Sequence, residues 1–435
     1  MIKRLSWVFS VLIMALGSGV AYGQNIIDWS DDWYVEVGGR YGQNVPFVKR
    51  HAYINDFPQY GLDLRLGRQT DGTSDWEQWF NYPTYGIMLR YEHNTLDSVK
   101  QEVRDVSGDV VVNWVGIGDC YTLAGFLNGH IYKGRCWSFD YGIIGGLSFW
   151  PRYGNEFIGS LMNVHLSLEA GPMFHVSKHF DVFGRAIFSH SSNGALVLPN
   201  NGVNVFSYQL GCRYHLNDRA DYVKTDSILW RKKTSLYISE SMGVLQTATR
   251  LDGEMVGETG YYFGNTLQVG VGRQFHPKFR FDVGLDFHWT GESKVKYTQA
   301  AQRYDNGTLG VELVEYSPLR STHIAASAMF EVLYNRFVFC LGGGIYIYHG
   351  IYHGTDEKMT WCFVGDGMTQ FERQYLPSAY RNYYERLGFK FVFGRNRNQY
   401  VGAFMKVHLD SIDFIEWTYG IDLFQWEDHK VRCKR

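Results

Sequence analysis

The chain has 435 residues and a formal net charge of −2, a balance that argues against a nucleic-acid-binding surface. Aromatic residues make up 17% of it, and 48 Gly stand against only 9 Pro. So high an aromatic share is unusual among soluble β-proteins. It is typical of transmembrane barrels, whose strands carry aromatic girdles at both membrane interfaces.

The N-terminus has the three parts of a secretory signal peptide. Lys3 and Arg4 give a basic start, residues 7–16 are apolar, and residues 21–23 form a small-residue cleavage site. No Cys follows that site, so lipid attachment is not expected there. No later run approaches the roughly 18 apolar residues that a spanning helix needs. The sequence therefore predicts an exported chain with a signal peptide at 1–23, and any membrane-spanning part should consist of strands.

Alternation of polar and apolar residues recurs along the whole chain and predicts β-strands. In residues 60–67, for example, Tyr and three Leu alternate with Gly, Asp, Arg and Gly. A polar face opposite an apolar one fits a barrel with a polar interior and a lipid-facing exterior. Eight strands are predicted in the first half, near 33–41, 58–68, 83–93, 120–129, 136–149, 159–176, 179–190 and 203–216. Eight more are predicted in the second half, near 233–247, 261–273, 278–289, 320–331, 336–348, 383–394, 399–409 and 413–425.

Long connections, such as 94–119 and 349–382, alternate with short turns, which is the pattern of outer-membrane barrels. Residues 218–232 are charged and do not alternate, whereas a single 16-stranded barrel would need a tight turn there. The sequence therefore favours an all-β chain of two tandem eight-stranded outer-membrane barrels, at 24–217 and 233–435, with 218–232 as linker. Side chains fill the interior of an eight-stranded barrel, so neither barrel should conduct ions.

A polar motif ends the seventh predicted strand. It reads Phe-Ser-His-Ser-Ser-Asn-Gly over 188–194, and Pro-Asn-Asn-Gly-Val-Asn follows over 199–204. His190 lies on the predicted lipid-facing side of its strand, Ser192 shares that side if the strand continues, and Asn204 lies on the lipid-facing side of the next strand. An unpaired polar group facing lipid is energetically unfavourable, so three of them at one place indicate a function.

These three side chains are the parts of a serine hydrolase site. Ser192 is a poor nucleophile until His190 takes its proton, and the Asn204 carbonyl can fix the tautomer of that imidazole. Asn193 and the backbone at Gly194 can supply donors to a developing oxyanion. At a membrane interface, such a site would cleave an ester of a membrane lipid. No metal or other cofactor is predicted, since the six cysteines show no metal-finger spacing.

The pattern His-x-Ser-Asn-Gly followed by Pro-Asn-x-Gly-Val resembles the PagL-type lipid A 3-O-deacylases, which are eight-stranded outer-membrane barrels with a Ser-His-Glu triad. The resemblance covers roughly residues 30–216. It implies that His190 is the base, that Ser192 is the nucleophile, and that Asn193 with Gly194 forms the oxyanion region. It also implies lipid A in the outer leaflet as the partner. The family's Glu falls on Asn204 in this chain.

Outer-membrane phospholipase A is the second family that the motif resembles, because it also carries His-x-Ser-Asn-Gly outside a barrel and orients its His with an Asn. That family is a 12-stranded, calcium-dependent dimer with an Arg three residues after its Ser, where this chain has Ala195. The predicted count of eight strands and the Pro-Asn-Asn-Gly sequence favour the deacylase. Which acyl ester is cleaved stays open at this point.

Three other interpretations remain. The Ser-Asn-Gly and Pro-Asn-Asn-Gly sequences also form turns without any chemistry. The second is a structural or adhesive barrel whose loops bind an outside partner, and the third is a 16-stranded channel. The second half has His408 at the end of its own seventh strand, but Asp410 stands where Ser would be. It therefore resembles a related barrel without the site.

Overall fold

A computed structural model gives the fold of the chain as two closed barrels of eight antiparallel strands each. The fold class predicted from the sequence is confirmed, and the single 16-stranded barrel is excluded. The structure describes residues 32–434 except 47–48, 97–98, 105–109, 156, 195, 198–199, 218–221, 225–226, 252–253, 291–295, 304–308, 316–321, 350–360, 365–366, 371–382 and 409–410. The predicted signal peptide at 1–23 lies outside the described residues, as does Ala195.

The first barrel closes by pairing its first strand with its last. Its strands are β1 (Trp33–Asn44), β2 (Pro58–Gln69), β3 (Thr84–Asn94), β6 (Asp119–Lys133), β7 (Trp137–Phe149), β8 (Met162–His175), β9 (Phe180–Ser192) and β10 (Val203–His215). Between β3 and β6 the chain forms a separate hairpin of β4 (Val99–Arg104) and β5 (Val110–Val115). All eight barrel strands coincide with the predicted ones to within a few residues.

The second barrel closes in the same way, by pairing β11 with β22. Its strands are β11 (Ser227–Leu251), β12 (Glu254–His276), β13 (Phe279–Thr290), β16 (Thr322–Tyr334), β17 (Phe337–His349), β20 (Tyr383–Phe393), β21 (Gln399–His408) and β22 (Ser411–Lys434). Two further hairpins lie outside the barrel: β14 (Lys296–Arg303) with β15 (Leu309–Glu315), and β18 (Trp361–Val364) with β19 (Gly367–Gln370). β11 begins at Ser227, so the last part of the predicted linker is strand.

Two short helices occupy connections of the first barrel. A 3₁₀ helix spans Lys49–Asp56, and helix α1 spans Asp75–Trp79. α1 begins at a capping box in which Ser74 and Glu77 satisfy each other's backbone N–H groups. Neither helix was predicted, because each is too short to show a helical repeat of apolar residues. No helix in the described part of the chain is long and apolar enough to cross a membrane.

Ion pairs between buried side chains fill the lumen of both barrels. In the first barrel Arg65 donates two hydrogen bonds of 2.7 Å to Glu169, and Arg185 pairs with Glu36. In the second barrel Arg386 lies 2.8 Å from Glu416. A buried charge is tolerated when it is paired and hydrogen-bonded, and these pairs therefore account for the polar face of the alternating strands.

An apolar cluster covers the lumen of the first barrel at the end where the long connections lie, here called the long-loop end. The cluster comprises Ile54, Leu96, Ile117, Cys120, Trp150, Phe157, Ile158, Val203 and Val205. It draws residues from the 3₁₀ helix, from the connections after β3 and β7, and from the start of β10. The packing fixes the connection that contains Phe157, which in turn holds the site described below.

The cysteines with described side chains are unpaired: Cys120, Cys136, Cys212 and Cys340. The side chains of the other two, Cys362 and Cys433, fall outside the described residues.

Candidate functional site

The pairing of β9 with β10 places His190 directly opposite Asn204. His190 Nδ1 lies 2.7 Å from Asn204 Oδ1, and His190 Nε2 lies 2.9 Å from Ser192 Oγ. β9 continues to Ser192, so the strand geometry that the motif requires is present. The structure thus brings the three predicted side chains into one chain of hydrogen bonds.

This arrangement fixes the tautomer of the imidazole. An amide oxygen can only accept a hydrogen bond, so the proton on the neutral ring lies on Nδ1 and points at Asn204 Oδ1. Nε2 is then unprotonated and accepts the hydrogen bond of the Ser192 hydroxyl. The ring is therefore held in the state that can take a proton from the serine.

The three groups lie on the outer wall of the first barrel, on the side of the strands that faces away from the lumen. The next residues on the same face of β10, Phe206 and Tyr208, are 40% and 62% exposed. Ser189 and Ser191, which alternate with His190, are buried toward the lumen. Ser192 and Asn204 are themselves only 4% and 5% exposed, because the connection between β9 and β10 folds over them.

Gly202 packs against the imidazole from that connection. A Cβ atom at this position would lie 2.8 Å from His190 Cε1, and the backbone has a φ of +71°, so no other residue fits without strain. Its N–H donates to the Phe157 carbonyl at 2.9 Å, which ties it to the apolar cluster at the long-loop end. The Pro-Asn-Asn-Gly sequence predicted a turn here, but the contact with the ring depends on the tertiary fold.

Asn193 stabilises the same connection through its side chain. Its Nδ2 donates to Ser160 Oγ at 3.1 Å and to the Val197 carbonyl at 2.9 Å. Both donors of the carboxamide are therefore engaged in the loop, and an oxyanion contact by this side chain would require them to be released. Gly194 has a φ of +61°, and its backbone N–H has no hydrogen-bond partner among the described residues. The oxyanion role of Asn193 and Gly194 stays a prediction.

A second polar chain lies behind the site, on the lumen side of β9. His165 Nδ1 lies 2.9 Å from Ser191 Oγ, and its Nε2 lies 2.7 Å from Ser167 Oγ. Arg90 also approaches His165, at 3.1 Å, and pairs with Asp63. His165 belongs to no motif in the sequence, although its alternation in β8 places it on the inner face. Its contact with Ser191 fixes the strand between the two candidate catalytic residues.

The second barrel differs at the equivalent place. β21 and β22 pair His408 with Ser411 and are joined by residues 409–410 alone, whereas 193–202 join β9 and β10. That hairpin has no room for a loop like the one over His190. The side chains of His408 and Asp410 lie outside the described residues.

No group of three or more His, Cys, Asp or Glu side chains that could hold a metal ion occurs among the residues that the structure describes.

Residues 233–365 match the family model of the acyloxyacyl hydrolase C-terminal domain. The match lies in the second barrel, whereas the motif that resembles the PagL-type deacylases lies in the first. Together they support a PagL-like protein. No curated protein matches the chain significantly.

Among solved structures, the toluene transporter TodX of Pseudomonas putida is similar at 10% identity with a TM-score of 0.18, over 90% of this chain and 88% of TodX. The alcaligin outer-membrane receptor FauA of Bordetella pertussis is similar at 7% identity with a TM-score of 0.20, over 91% of this chain and 76% of FauA. At these values the similarities carry no argument about this chain.

Proposed function

We propose that the chain is an outer-membrane serine hydrolase that removes an ester-linked acyl chain from lipid A. The observation that carries the proposal is the contact of His190 with both Ser192 Oγ and Asn204 Oδ1 on the outer wall of the barrel. A hydroxyl, an imidazole and an acceptor in this order form the set that activates a serine nucleophile.

The reaction begins when Ser192 Oγ attacks the ester carbonyl and its proton passes to His190 Nε2. The Asn204 carbonyl keeps its hydrogen bond to Nδ1–H and stabilises the imidazolium, although less than a carboxylate would. The tetrahedral oxyanion accepts a hydrogen bond from the Gly194 N–H. His190 then protonates the departing alkoxide, and water hydrolyses the acyl-serine by the same steps, so the products are a lipid alcohol and a fatty acid.

Lipid A fits as substrate because of where the site lies and which sequences match. The site opens on a wall with exposed apolar side chains such as Phe206 and Tyr208, and such a wall belongs in lipid. The motif over 188–204 resembles that of PagL-type deacylases, and the match of residues 233–365 to an acyloxyacyl hydrolase domain supports the same chemistry. Both features also support location in the outer membrane.

The test is deacylation of lipid A by the full chain in reconstituted vesicles, followed by mass spectrometry. Wild-type protein is expected to release one acyl chain, and Ser192→Ala to release none. Ser189→Ala is the matched control, because Ser189 is a buried serine on the inner face of the same strand. Unchanged deacylation by Ser192→Ala would remove this residue from the mechanism.

Phospholipid is the second candidate substrate, and Asn204 is the observation that favours it. An Asn that orients the imidazole is the feature of outer-membrane phospholipase A, whereas the deacylases use Glu. Vesicles that contain phosphatidylethanolamine without lipid A decide between the two. Ser192-dependent release of fatty acid there would identify a phospholipase, and release from lipid A alone would identify a deacylase. A structural or adhesive barrel would release fatty acid in neither case.

A further inference from the structure

We propose that Ile415 of the second barrel contacts the acyl chain of the substrate next to its carbonyl and thereby selects substrates by chain length. The inference rests on the proposed function and deepens it, because it makes the second barrel part of the acyl-binding site. The hydrolase motif lies in the first barrel and assigns no function to the second, and the proposed contact supplies one.

The first step is the contact of Ile415 with the connection over the site. A Cβ atom built on Gly194 would lie 2.4 Å from Ile415 Cγ1 and 2.7 Å from its Cδ1. The side chain of Ile415 is therefore in van der Waals contact with the Gly194 backbone. Gly194 is two residues after Ser192, and in the proposed mechanism its N–H donates to the oxyanion. An isoleucine from another barrel thus lies beside the place that the ester carbonyl would occupy.

The second step is the direction of the Ile415 side chain, which follows from its neighbours on β22. Phe414 is 3% exposed and fits inside the second barrel, where a Cβ at Gly243 or Gly264 would lie 2.4 Å or 3.0 Å from its ring. Glu416 is buried in the same lumen. Because side chains alternate along a strand, Ile415 is held on the outer wall. Trp417, the next residue on that wall, is 50% exposed, whereas Ile415 is half-buried by the first barrel.

The third step is that the two barrels also touch at the opposite end, where the short turns lie. Phe80, which follows α1, stacks on Tyr334 of the second barrel with ring centroids 3.9 Å apart. The Tyr334 hydroxyl lies 3.2 Å from that of Tyr141 on β7, and Trp79 packs edge-on against His276. The two barrels are therefore in contact at both ends. The contact of Ile415 with Gly194 is thus one of several between the two barrels.

A branched apolar side chain at this point has two consequences for an ester substrate. It excludes water from one side of the carbonyl, and it offers contact area to the first methylenes of an acyl chain. Apolar contact of this kind discriminates between substrates by the number of methylenes that they bury. A short acyl group has no methylenes to bury against Ile415, so this contact does not stabilise it. A long acyl chain keeps the contact throughout the reaction.

The test compares two esters, p-nitrophenyl laurate and p-nitrophenyl acetate, with the full chain in detergent micelles. Ile415→Ala is expected to lower the ratio of kcat/KM for laurate to kcat/KM for acetate by about tenfold, because the acetate ester has no chain to lose contact with. Ile415→Val should shift the ratio in the same direction by less, and it serves if the alanine variant does not fold. Ile345→Ala is the matched control, since Ile345 is 66% exposed on the outer wall of the same barrel on β17.

The outcomes separate this inference from the proposed function. A lower ratio in the Ile415 variants alone supports the selection of the acyl chain. An equal fall for both esters would mean that Ile415 only holds the barrels together, and an unchanged ratio would mean that it does not meet the substrate. Either result overturns the inference while Ser192-dependent hydrolysis still supports the enzyme. Hydrolysis that Ser192→Ala does not abolish would overturn the proposed function and the inference with it.

Discussion

The two barrels share an architecture and differ on their outer walls. Both close eight antiparallel strands around buried ion pairs, such as Arg65 with Glu169 in the first and Arg386 with Glu416 in the second. In the first barrel the loop over 193–202 folds onto His190, whereas in the second only residues 409–410 connect the equivalent strands. The lumen is thus built alike in the two barrels, whereas the strand pair with His190 and Asn204 and the connection that folds over it occur only in the first. The proposed chemistry therefore depends on residues that the fold itself does not require.

The largest expected effect is that of His190→Ala, which tests whether the chemistry depends on a residue that the fold does not require. Removal of the base should lower kcat for lipid A deacylation by at least about 10³-fold and leave the urea unfolding midpoint nearly unchanged. Mass spectrometry of lipid A and unfolding in vesicles measure the two quantities. A His190→Ala variant with full activity would show that the imidazole on the outer wall of the first barrel takes no part in the reaction.

Removal of the acidic partner of a buried Arg in the lumen should destabilise either barrel to a similar extent. Glu169→Ala leaves Arg65 buried without its bidentate partner, and Glu416→Ala removes the carboxylate that pairs with Arg386, so each should destabilise the protein by about 3–5 kcal/mol. Urea titration of the reconstituted chain measures the loss. If Glu169→Ala changed only activity and Glu416→Ala only stability, the lumen of the first barrel would belong to the site. The claim that the lumen has the same role in both barrels would then be wrong.

The third group of the site has a smaller expected effect. Asn204→Ala removes a hydrogen bond to a ring that becomes charged during the reaction, which is worth about 1.5–3 kcal/mol, so kcat should fall about 10- to 100-fold. Asn204→Asp keeps an acceptor of the same shape and should retain most of the activity. Initial rates of fatty-acid release measure both variants. Equal activity in wild type and Asn204→Ala would mean that the imidazole needs no orienting group.

The smallest expected effect concerns the connection itself. Gly202→Ala adds a Cβ 2.8 Å from His190 Cε1 at a φ of +71°. It should lower the free energy of unfolding by about 1–3 kcal/mol, and it should lower kcat because the ring is displaced. Gly154→Ala is the matched control, since Gly154 has a φ of +78° with nothing within 4 Å of its Cβ position. The Gly154→Ala variant should have the same backbone strain but an unchanged kcat. Equal losses of kcat in the two variants would assign the effect to backbone strain alone.

The sequence predicted much of the fold and the placement of the candidate site residues, because both follow from local alternation. The period of two placed His190 and Asn204 on the outer face, and neighbouring strands of a barrel then had to bring them together. The hairpin of β4 with β5 was not predicted, because nothing in the sequence distinguishes a hairpin outside a barrel from a loop. The contact of Gly202 with the imidazole depends on how the connection folds back over β9, and that of Ile415 with Gly194 joins distant segments. They follow from packing that no local pattern records.

The central claim is that Ser192 is a nucleophile activated by His190 on the outer wall of the first barrel. Covalent labelling by a fluorophosphonate tests it most directly, because this reagent reacts with activated serine hydroxyls and needs no knowledge of the substrate. In the reconstituted full chain, peptide mass spectrometry should find the phosphonate on Ser192 in the wild type and on no serine in His190→Ala. Equal labelling in the two proteins, or labelling of a different serine, would contradict the account.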